Sequence, residues 1–335
     1  MLRILAMPNE GNMAVTEYYI NIIRQAGLKA GFEVSNFKKG DKISKHDVIF
    51  VVTVKDALYF WIRGYKNIII WIQGIQPEES LLKNNSKFRY MVLSLIEKFI
   101  LKKSLFIFLV SNSMKEHFLN KYNLDLSKRS YIMPCYNSEL DLNSFDHEDK
   151  YKNNIFAYVG SLAVWQCFDE TLELYKKVEE KVSDSFLRVY TSSINEATQK
   201  INKVGIKRFS IKYVDSSKLL DELRSVKFGF IIRADNIVNK VATPTKISTY
   251  LSAGIIPIYS KTLSSFHDIT ENVRYKIPMS NDDTDLSKIL QFCEKEINST
   301  KLRNEYKQIF FNYYNTKHYI DEISQIFKKS LNNYL

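Results

Sequence analysis

The chain alternates short apolar runs with longer segments in which apolar positions recur every three or four residues. In the first 135 residues the apolar runs lie at 2–7, 32–37, 47–54, 67–72, 105–110 and 130–133. Helical spacing covers 14–30, 84–103 and 113–122. Strands of this length, separated by helices, require crossover connections and therefore form a parallel sheet with helices on both faces. This half of the chain is predicted to be a Rossmann-like domain.

The same alternation restarts after a polar segment between residues 135 and 154, which has the composition of an interdomain linker. Apolar runs follow at 154–160, 186–191, 208–214, 227–232 and 255–259, with helical segments at 168–182, 194–204, 216–226 and 244–253. We therefore predict an α/β chain of two doubly wound, Rossmann-like domains, 1–150 and 151–310. A helix in 311–335 is expected to pack back toward the first domain. Ligands of such sheets bind beyond the carboxyl ends of the strands, so the loops there, around an interdomain cleft, are the first place to look for chemistry.

The composition indicates the cellular compartment and the charge of the binding partners. The 335 residues are 45% hydrophobic and carry a formal charge of +11, which favours an anionic partner. Three cysteines lie far apart without a CxxC pair, as expected in a reducing cytoplasm. The first apolar run is too short for a signal peptide, and lysines interrupt the most apolar stretch near 88–110, so no membrane span is expected.

The most informative loop lies within 233–258, which runs from a strand into a short helix and back to a strand. Thr243 is predicted to cap this helix, with Pro244 at its first position and Gly254 in the left-handed conformation at its end. The helix start would then present free N–H groups and a positive dipole, which suit a diphosphate. A capped crossover helix with a solvated basic loop fits the same pattern. The residues expected at the anion are Arg233, Lys240, Thr245 and Lys246.

A second loop follows the strand that ends at Gly160. Gly160 allows close approach of a ligand to the backbone, and Ser161 and Gln166 offer neutral hydrogen-bonding groups. The alternative is an ordinary tight turn in which Trp165 and Phe168 pack on the core. This loop is a candidate binding loop only because it is expected to lie beside the basic loop within 233–258.

Two loops of the first domain also follow strands. The segment MPNEGN at 7–12 precedes a helix, and WIQGIQPEE at 71–79 leaves a strand with two glutamates that could simply be solvated. Neither carries GxGxxG, and no suitably placed ribose-binding acid follows, which argues against a dinucleotide oxidoreductase. The candidate sugar-binding residues here are Gly11, Asn12, Gln73, Gly74 and Glu78.

These segments together resemble a known enzyme family. YVGSLAVWQCFDETLEL is similar to the opening of the carboxy-terminal domain of retaining GT-B glycosyltransferases of the fourth sequence family, and NKVATPTKISTYLSAGIIPI resembles their donor-binding segment. MPNEGN, IIWIQGIQPEE and YIMPCYNS match in order and spacing, so the resemblance covers nearly the whole chain.

The resemblance implies where each substrate group binds. The donor diphosphate would contact the basic loop and the Gly160 loop, the ribose would lie at Thr249, and the sugar and acceptor would face Gly11 and Asn12. The sequence also departs from the family pattern, since Ser161 and Gln166 stand where an Arg and a Lys are usual.

Further departures affect other family positions. Cys167 replaces a glycine, and Gln73 stands where a histidine is often found. Val241 and Thr249 occupy the positions of two glutamates. A different donor, a rearranged phosphate site or a loss of activity would each account for these changes.

The leading hypothesis is a glycosyltransferase that moves a sugar from a nucleotide-diphosphate donor to a hydroxyl of a growing surface glycan. No DxD motif lies between strand and loop, so cations and the helix dipole are expected to stabilise the leaving diphosphate without a metal or other cofactor. Retention follows from the resemblance alone, and no residue is marked as a nucleophile. The alternative is a noncatalytic GT-B-like protein that binds a transferase or a lipid-linked glycan. A nucleic-acid binder lacks supporting motifs, and a sugar-nucleotide epimerase would need a carboxylate-rich site.

The segment 83–129 holds ten basic and three acidic residues and includes the apolar, lysine-rich stretch FRYMVLSLIEKFILKK. Such a helix can lie in the headgroup region of an anionic membrane. A helix packed on its own sheet, with lysines extending into water, fits equally well. The expected location is therefore cytoplasmic, with reversible attachment to the inner face of the membrane.

Overall fold

The computed structural model describes residues 2–4, 13–36, 42–280, 282 and 284–331. These residues divide into two compact units. The N-terminal unit comprises the described residues up to Asn137 together with those from Asn315 onward, and the C-terminal unit comprises Ser138–Tyr314. Within the described ranges, no helix is long and apolar enough to cross a membrane.

The N-terminal unit is built on a parallel sheet with the strand order β2-β1-β3-β4-β5-β6. Its strands are β1 (Leu2–Ile4), β2 (Val34–Asn36), β3 (Val48–Val51), β4 (Ile68–Ile72), β5 (Phe106–Leu109) and β6 (Ser130–Ile132). Its helices are α1 (Met13–Lys29), α2 (Val54–Ile62), α3 (Gln76–Asn84), α4 (Lys87–Lys103), α5 (Asn112–Tyr122) and α14 (Thr316–Leu331).

The central strands of this sheet are buried on both faces, which explains their continuous apolar sequence. Every residue of β3, β4 and β5 is buried. The last helix, α14, packs on α1, and the rings of Phe32 and Phe327 meet edge to face at 6.3 Å. The C-terminal segment thus completes the N-terminal unit.

The C-terminal unit contains a second parallel sheet with the order β12-β11-β10-β7-β8-β9. Its strands are β7 (Ile155–Val159), β8 (Phe186–Tyr190), β9 (Phe209–Lys212), β10 (Phe228–Ile231), β11 (Ile256–Ser260) and β12 (Ile277–Met279). Its helices are α6 (Phe168–Lys181), α7 (Ile194–Val204), α8 (Leu219–Leu223), α9 (Ile237–Val241), α10 (Lys246–Ser252), α11 (Ser264–Ile269), α12 (Thr284–Glu294) and α13 (Ser299–Asn312). The strand order reverses between β7 and β10, and this switch point is where ligands of such sheets bind.

The C-terminal unit begins earlier in the chain than the predicted boundary near residue 150. The buried Lys150 ammonium donates to the carbonyls of Ser144, at 3.1 Å, and Ala253. The Tyr151 hydroxyl donates to the Gly254 carbonyl at 2.9 Å. These bonds hold the polar connecting segment against the end of α10, so residues that read as a linker belong to a packed unit. Burial lowers the pKa of Lys150 to about 7.

Candidate functional site

The candidate site lies at the switch point of the C-terminal sheet. β7 ends at Val159 and is followed by Gly160, while β10 ends at Ile231, two residues before Arg233. The two strands pair in parallel, so both loops leave the same edge of the sheet. The structure therefore brings together the two loops that the sequence predicts at a diphosphate.

Arg233 and Lys246 meet at one oxygen atom. Gln166 Oε1 accepts a hydrogen bond from Arg233 Nη2 at 2.6 Å and another from Lys246 Nζ at 2.8 Å. Arg233 also donates through Nη1 to the Gln166 carbonyl at 3.2 Å. We refer to Arg233 and Lys246 as the cation pair. Both side chains converge on one neutral acceptor.

The cation pair has no counter-charge in the described part of the chain, since no acidic residue there forms an ion pair with either side chain. Arg233 is 3% exposed. Burial lowers the pKa of Arg233, and burial followed by the charge of Arg233 lowers the pKa of Lys246 well below its ordinary value. A buried guanidinium beside a half-buried ammonium is costly without an anion. A bound anion would remove much of that cost.

Gly160 makes room for the Lys246 side chain. Its φ of +136° lies in a region that side chains disfavour, and a Cβ atom there would lie 3.0 Å from Lys246 Nζ. The same ammonium lies 4.8 Å from the centre of the Tyr158 ring, whose hydroxyl donates to the Ser161 carbonyl at 2.7 Å. Ser161 itself is exposed. Its contribution to the site is therefore a backbone contact beside the cation pair.

Cys167 holds the Gln166 loop in place. It adopts the left-handed conformation, with φ 51° and ψ 49°, at the position where the family resemblance has a glycine. Its sulfur accepts a hydrogen bond from the backbone N–H of Ala234 at 3.1 Å. The thiol is buried, and burial raises its pKa. This sulfur therefore ties the loop to the residue after Arg233.

The start of α10 differs from the prediction. Thr245, not Thr243, is the residue before its first turn, and no side-chain hydrogen bond caps it. The reason is that the helical hydrogen bonds begin at the Thr245 carbonyl, which accepts from Thr249 N at 3.2 Å. The predicted left-handed Gly254 is present, with φ +67°. Because α10 has only seven residues, its dipole adds little to the charges of the cation pair.

Thr249 lies one helical turn after Lys246 on α10, and Lys240 lies on a different helix. Thr249 is buried, and its hydroxyl donates to the Thr245 carbonyl at 3.4 Å and accepts from Ser138 at 3.5 Å. Lys240 is exposed on α9, a short helix within a segment predicted to be a loop. It lines a cavity of about 360 Å³ whose lining includes neither Arg233 nor Lys246.

In the N-terminal unit, Gln73 is exposed just after β4. A Cβ at Gly74 would collide with the Glu79 carboxylate, which therefore covers the backbone there. Burial, followed by the charge of Glu78, raises the pKa of Glu79. Gly11 and Asn12 lie outside the described residues.

Glu78 is buried in the first turn of α3, and this helix occupies part of the predicted loop at 71–79. Its Oε1 lies 2.7 Å from Lys121 Nζ and 3.2 Å from His117 Nε2. Burial opposes ionisation of Glu78, but the hydrogen bonds of His117 and Lys121 outweigh it and lower the pKa. The acid that the sequence suggests for sugar binding is thus engaged between helices.

Glu97 of α4 shares Lys121 with Glu78, at 3.5 Å, and accepts from the Tyr122 hydroxyl at 2.7 Å. Burial raises its pKa to about 7. We refer to Glu78, Glu97 and Lys121 as the carboxylate cluster.

Sequence reasoning missed two residues that support the site. The Tyr250 hydroxyl accepts from Val159 N at 3.1 Å and anchors α10 to the end of β7. Its ring passes over Gly229, where a Cβ would lie 2.5 Å away. Ser260 accepts from the Arg233 backbone N–H at 2.9 Å. The one signal in the sequence is Gly229 in the middle of a strand, which indicates close approach of a neighbour.

The described residues contain no cluster of three or more His, Cys, Asp or Glu side chains arranged to hold a metal ion. The groups that the described residues place at the switch point include the cations of Arg233 and Lys246 and the amide of Gln166. This set suits a phosphate better than it suits a metal.

Comparison with solved structures identifies the fold. HepE from Anabaena, solved with UDP and glucose, superposes with a TM-score of 0.69 at 10% identity, covering 97% of this chain and 98% of that one. Sucrose-phosphate synthase from Thermosynechococcus elongatus gives 0.67 at 13% identity, covering 98% of each chain. TarM from S. aureus, solved as a mutant with fondaparinux, alpha-GlcNAc-glycerol and UDP, gives 0.63 at 13% identity over 87% of this chain.

This chain spans 57% of the length of TarM. No protein-family model and no curated protein matches it by sequence. The structural likeness shows that the chain has the GT-B fold, which confirms the predicted fold class.

Proposed function

We propose that the protein is a glycosyltransferase whose donor is a nucleoside-diphosphate sugar. The observation that carries this proposal is the cation pair, which has no counter-charge among the described residues and lies at the switch point of the C-terminal sheet. A diphosphate supplies the missing charge and enough oxygens to bond both cations. The GT-B fold and the solved relatives that contain UDP support the same donor class.

The reaction breaks the bond between the anomeric carbon and the diphosphate oxygen, and an acceptor hydroxyl forms the new bond. Negative charge grows on the leaving diphosphate, where Arg233 and Lys246 stabilise it. A front-face course with retention, in which the leaving oxygen takes the hydroxyl proton, agrees with the family resemblance. This scheme assigns no residue as nucleophile and gives no step to a metal.

For the acceptor we propose a hydroxyl of a growing surface glycan, and for the ribose site the region of Thr249. The acceptor proposal rests on the sequence resemblance and on TarM, a relative that binds a glycan and a GlcNAc-glycerol. A noncatalytic protein that binds a transferase or a lipid-linked glycan is the second candidate, and the replaced family residues at Gln166 and Thr249 favour it.

A panel of nucleotide sugars tests the function. We expect thermal stabilisation of the wild-type protein by at least one nucleoside diphosphate, and slow hydrolysis of the matching nucleotide sugar. Binding without hydrolysis or transfer would favour the noncatalytic candidate. The absence of stabilisation by uridine, guanosine, adenosine and thymidine diphosphates would overturn both the donor class and the site. The exposed Lys307→Ala variant, in the same unit, is the matched control.

We also propose reversible attachment to the cytoplasmic face of an anionic membrane through α4. One face of its first half exposes Phe88, Met91, Val92 and Leu95, with exposures of 74%, 53%, 38% and 63%. The exposed Lys98 and Lys102 continue the same face. Apolar side chains bordered by lysines suit a headgroup region. α4 packs on its own unit through Ile100 and Leu101, and its exposed apolar face supports the membrane proposal.

Flotation with phosphatidylglycerol vesicles tests the membrane proposal. Wild-type protein should float at about 50 mM salt and be released as ionic strength rises. The variant with Lys98, Lys102 and Lys103 changed to Glu should remain in the soluble fraction. If wild type does not float at low salt, the membrane proposal is wrong and a soluble acceptor is favoured.

A further inference from the structure

A cavity of about 360 Å³ lies at the ends of β10, β11 and β12, and it meets the cation pair through the backbone of Arg233. Ser260 connects the two places, because it lines the cavity and accepts a hydrogen bond from the Arg233 backbone at 2.9 Å. Asp235, two residues beyond Arg233, lines the cavity as well. A ligand group attached to a diphosphate at the cation pair would thus find this cavity within the same unit.

The walls of the cavity are held together by hydrogen bonds between α9 and the segment that follows β11. The Thr262 hydroxyl donates to Asp235 at 3.1 Å, and the Ser264 hydroxyl donates to the Lys240 carbonyl at 3.1 Å. These bonds fix two separate segments of chain against each other. The cavity is therefore a built feature of the fold.

Two lysines supply the positive charge in the lining of the cavity. Lys240 and Lys261 both line the cavity, and neither ammonium forms a hydrogen bond or ion pair within the described residues. The acid that lines it is Asp235, which is already bonded by Thr262. Hydrogen bonds from Thr284 lower the pKa of Asp282, and the charges of Lys288 and then Lys261 lower it further. The lining therefore carries an excess positive charge.

The remaining lining is suited to a sugar. Ser260, Thr262, Ser264 and Ser280 place hydroxyl groups around the cavity, and Met279 adds one apolar wall. Hydroxyls that donate and accept, beside cations, match a pyranose that carries an acid group. Both ammonium groups are exposed to water, and a carboxylate would bond them where a neutral hexose offers only hydroxyls.

We propose that this cavity binds the carboxylate of an acidic sugar on the nucleotide donor, with Lys240 and Lys261 as its specificity residues. This inference rests on the proposed function, since the nucleotide brings the sugar to the cavity. It moves Lys240 from the diphosphate, where the sequence places it, to the transferred sugar.

Calorimetric titration with UDP, UDP-glucose and UDP-glucuronate tests the assignment. We expect wild type to bind UDP-glucuronate about tenfold more tightly than UDP-glucose, because charge-assisted hydrogen bonds add affinity. The Lys240→Ala/Lys261→Ala variant should lose that preference while its affinity for UDP stays unchanged. Lys307→Ala should retain both, and all variants should unfold at the wild-type temperature because the changed lysines are exposed.

Equal binding of the two sugars by wild type, or a preference that survives in the double variant, would overturn the assignment while leaving the diphosphate site intact. Failure of UDP and every other nucleoside diphosphate to bind would instead overturn the proposed function, and this inference with it. Free glucuronate separates the two possible sources of the acid. If it binds the UDP complex through the two lysines while UDP-glucuronate shows no preference, the acid belongs to the acceptor and the donor assignment is wrong.

Discussion

The cation pair and the carboxylate cluster are both largely buried groups of charges, and they differ in how those charges are compensated. In the carboxylate cluster, Lys121 lies between Glu78 and Glu97, Tyr122 donates to Glu97, and His117 Nε2 lies 3.2 Å from Glu78. In the cation pair, two positive groups share only the neutral oxygen of Gln166. The first group finds its counter-charge within the protein, although Glu78 Oε2 and Glu97 Oε1 are buried without a hydrogen-bond partner among the residues that the structure describes, and we assign it a structural role. The second becomes complete only when an anion binds.

The same substitution should therefore have different effects in the two places. Lys121→Met leaves two buried carboxylates without their cation, and we expect a loss of about 3–5 kcal/mol in the free energy of unfolding. Lys246→Met removes one of two like charges, so stability should stay the same or rise. Urea denaturation of both variants measures the difference. Equal destabilisation by the two substitutions would show that the carboxylate cluster and the cation pair do not differ in charge compensation.

A carboxylate placed between the two cations should imitate the ligand. In Gln166→Glu the new acid can bond Arg233 and Lys246 at the distances that the amide oxygen now has. We expect a higher melting temperature and a nucleotide affinity about 10–100-fold weaker, which is about 1.4–2.8 kcal/mol. Thermal unfolding and calorimetry check both results. A variant that binds nucleotide as tightly as wild type would show that the diphosphate lies elsewhere.

The carboxylate cluster should show its own pH dependence. Burial raises the pKa of Glu97 from 4.5 to about 7, so the folded protein binds this proton more tightly than the unfolded chain does. Stability from this group is present below pH 4.5 and is lost as the pH rises through about 7. Glu97→Gln should therefore gain about 1–2 kcal/mol relative to wild type between pH 5 and pH 8. A pH-independent difference in urea denaturation would contradict the assigned pKa.

The strands were predictable because burial on both faces requires continuous apolar runs, as in the Ile68–Ile72 strand. The short helices could not be predicted from the sequence. α9 has five residues and α3 begins with the polar run QPEES, so neither shows a helical apolar period before its packing is known. The segment around Lys150 reads as a linker because its buried contacts are with residues about a hundred positions later.

The residues of the candidate site were likewise predictable only in part. The meeting of Arg233 and Lys246 could be predicted, because both residues follow recognisable strand and turn signals. The role of Gln166 could not, because its position depends on the left-handed Cys167 and on the contact of that sulfur with Ala234. Glu78 and Lys121 are far apart in sequence and meet only when α3 and α5 pack, so Glu78 appeared to be a loop acid. Lys261 carries no local signal and acquires its place from the ends of two strands.

Calorimetric titration of UDP into wild type and Lys246→Met, with Lys307→Ala as the control, tests the central claim most directly. The ammonium of Lys246 is one of two uncompensated cations, and its charge-assisted bonds to a diphosphate contribute about 1–3 kcal/mol. We predict that Lys246→Met binds UDP about tenfold or more weakly while Lys307→Ala binds it as wild type does. Equal affinity of all three proteins for UDP would contradict the assignment of the cation pair to the donor diphosphate.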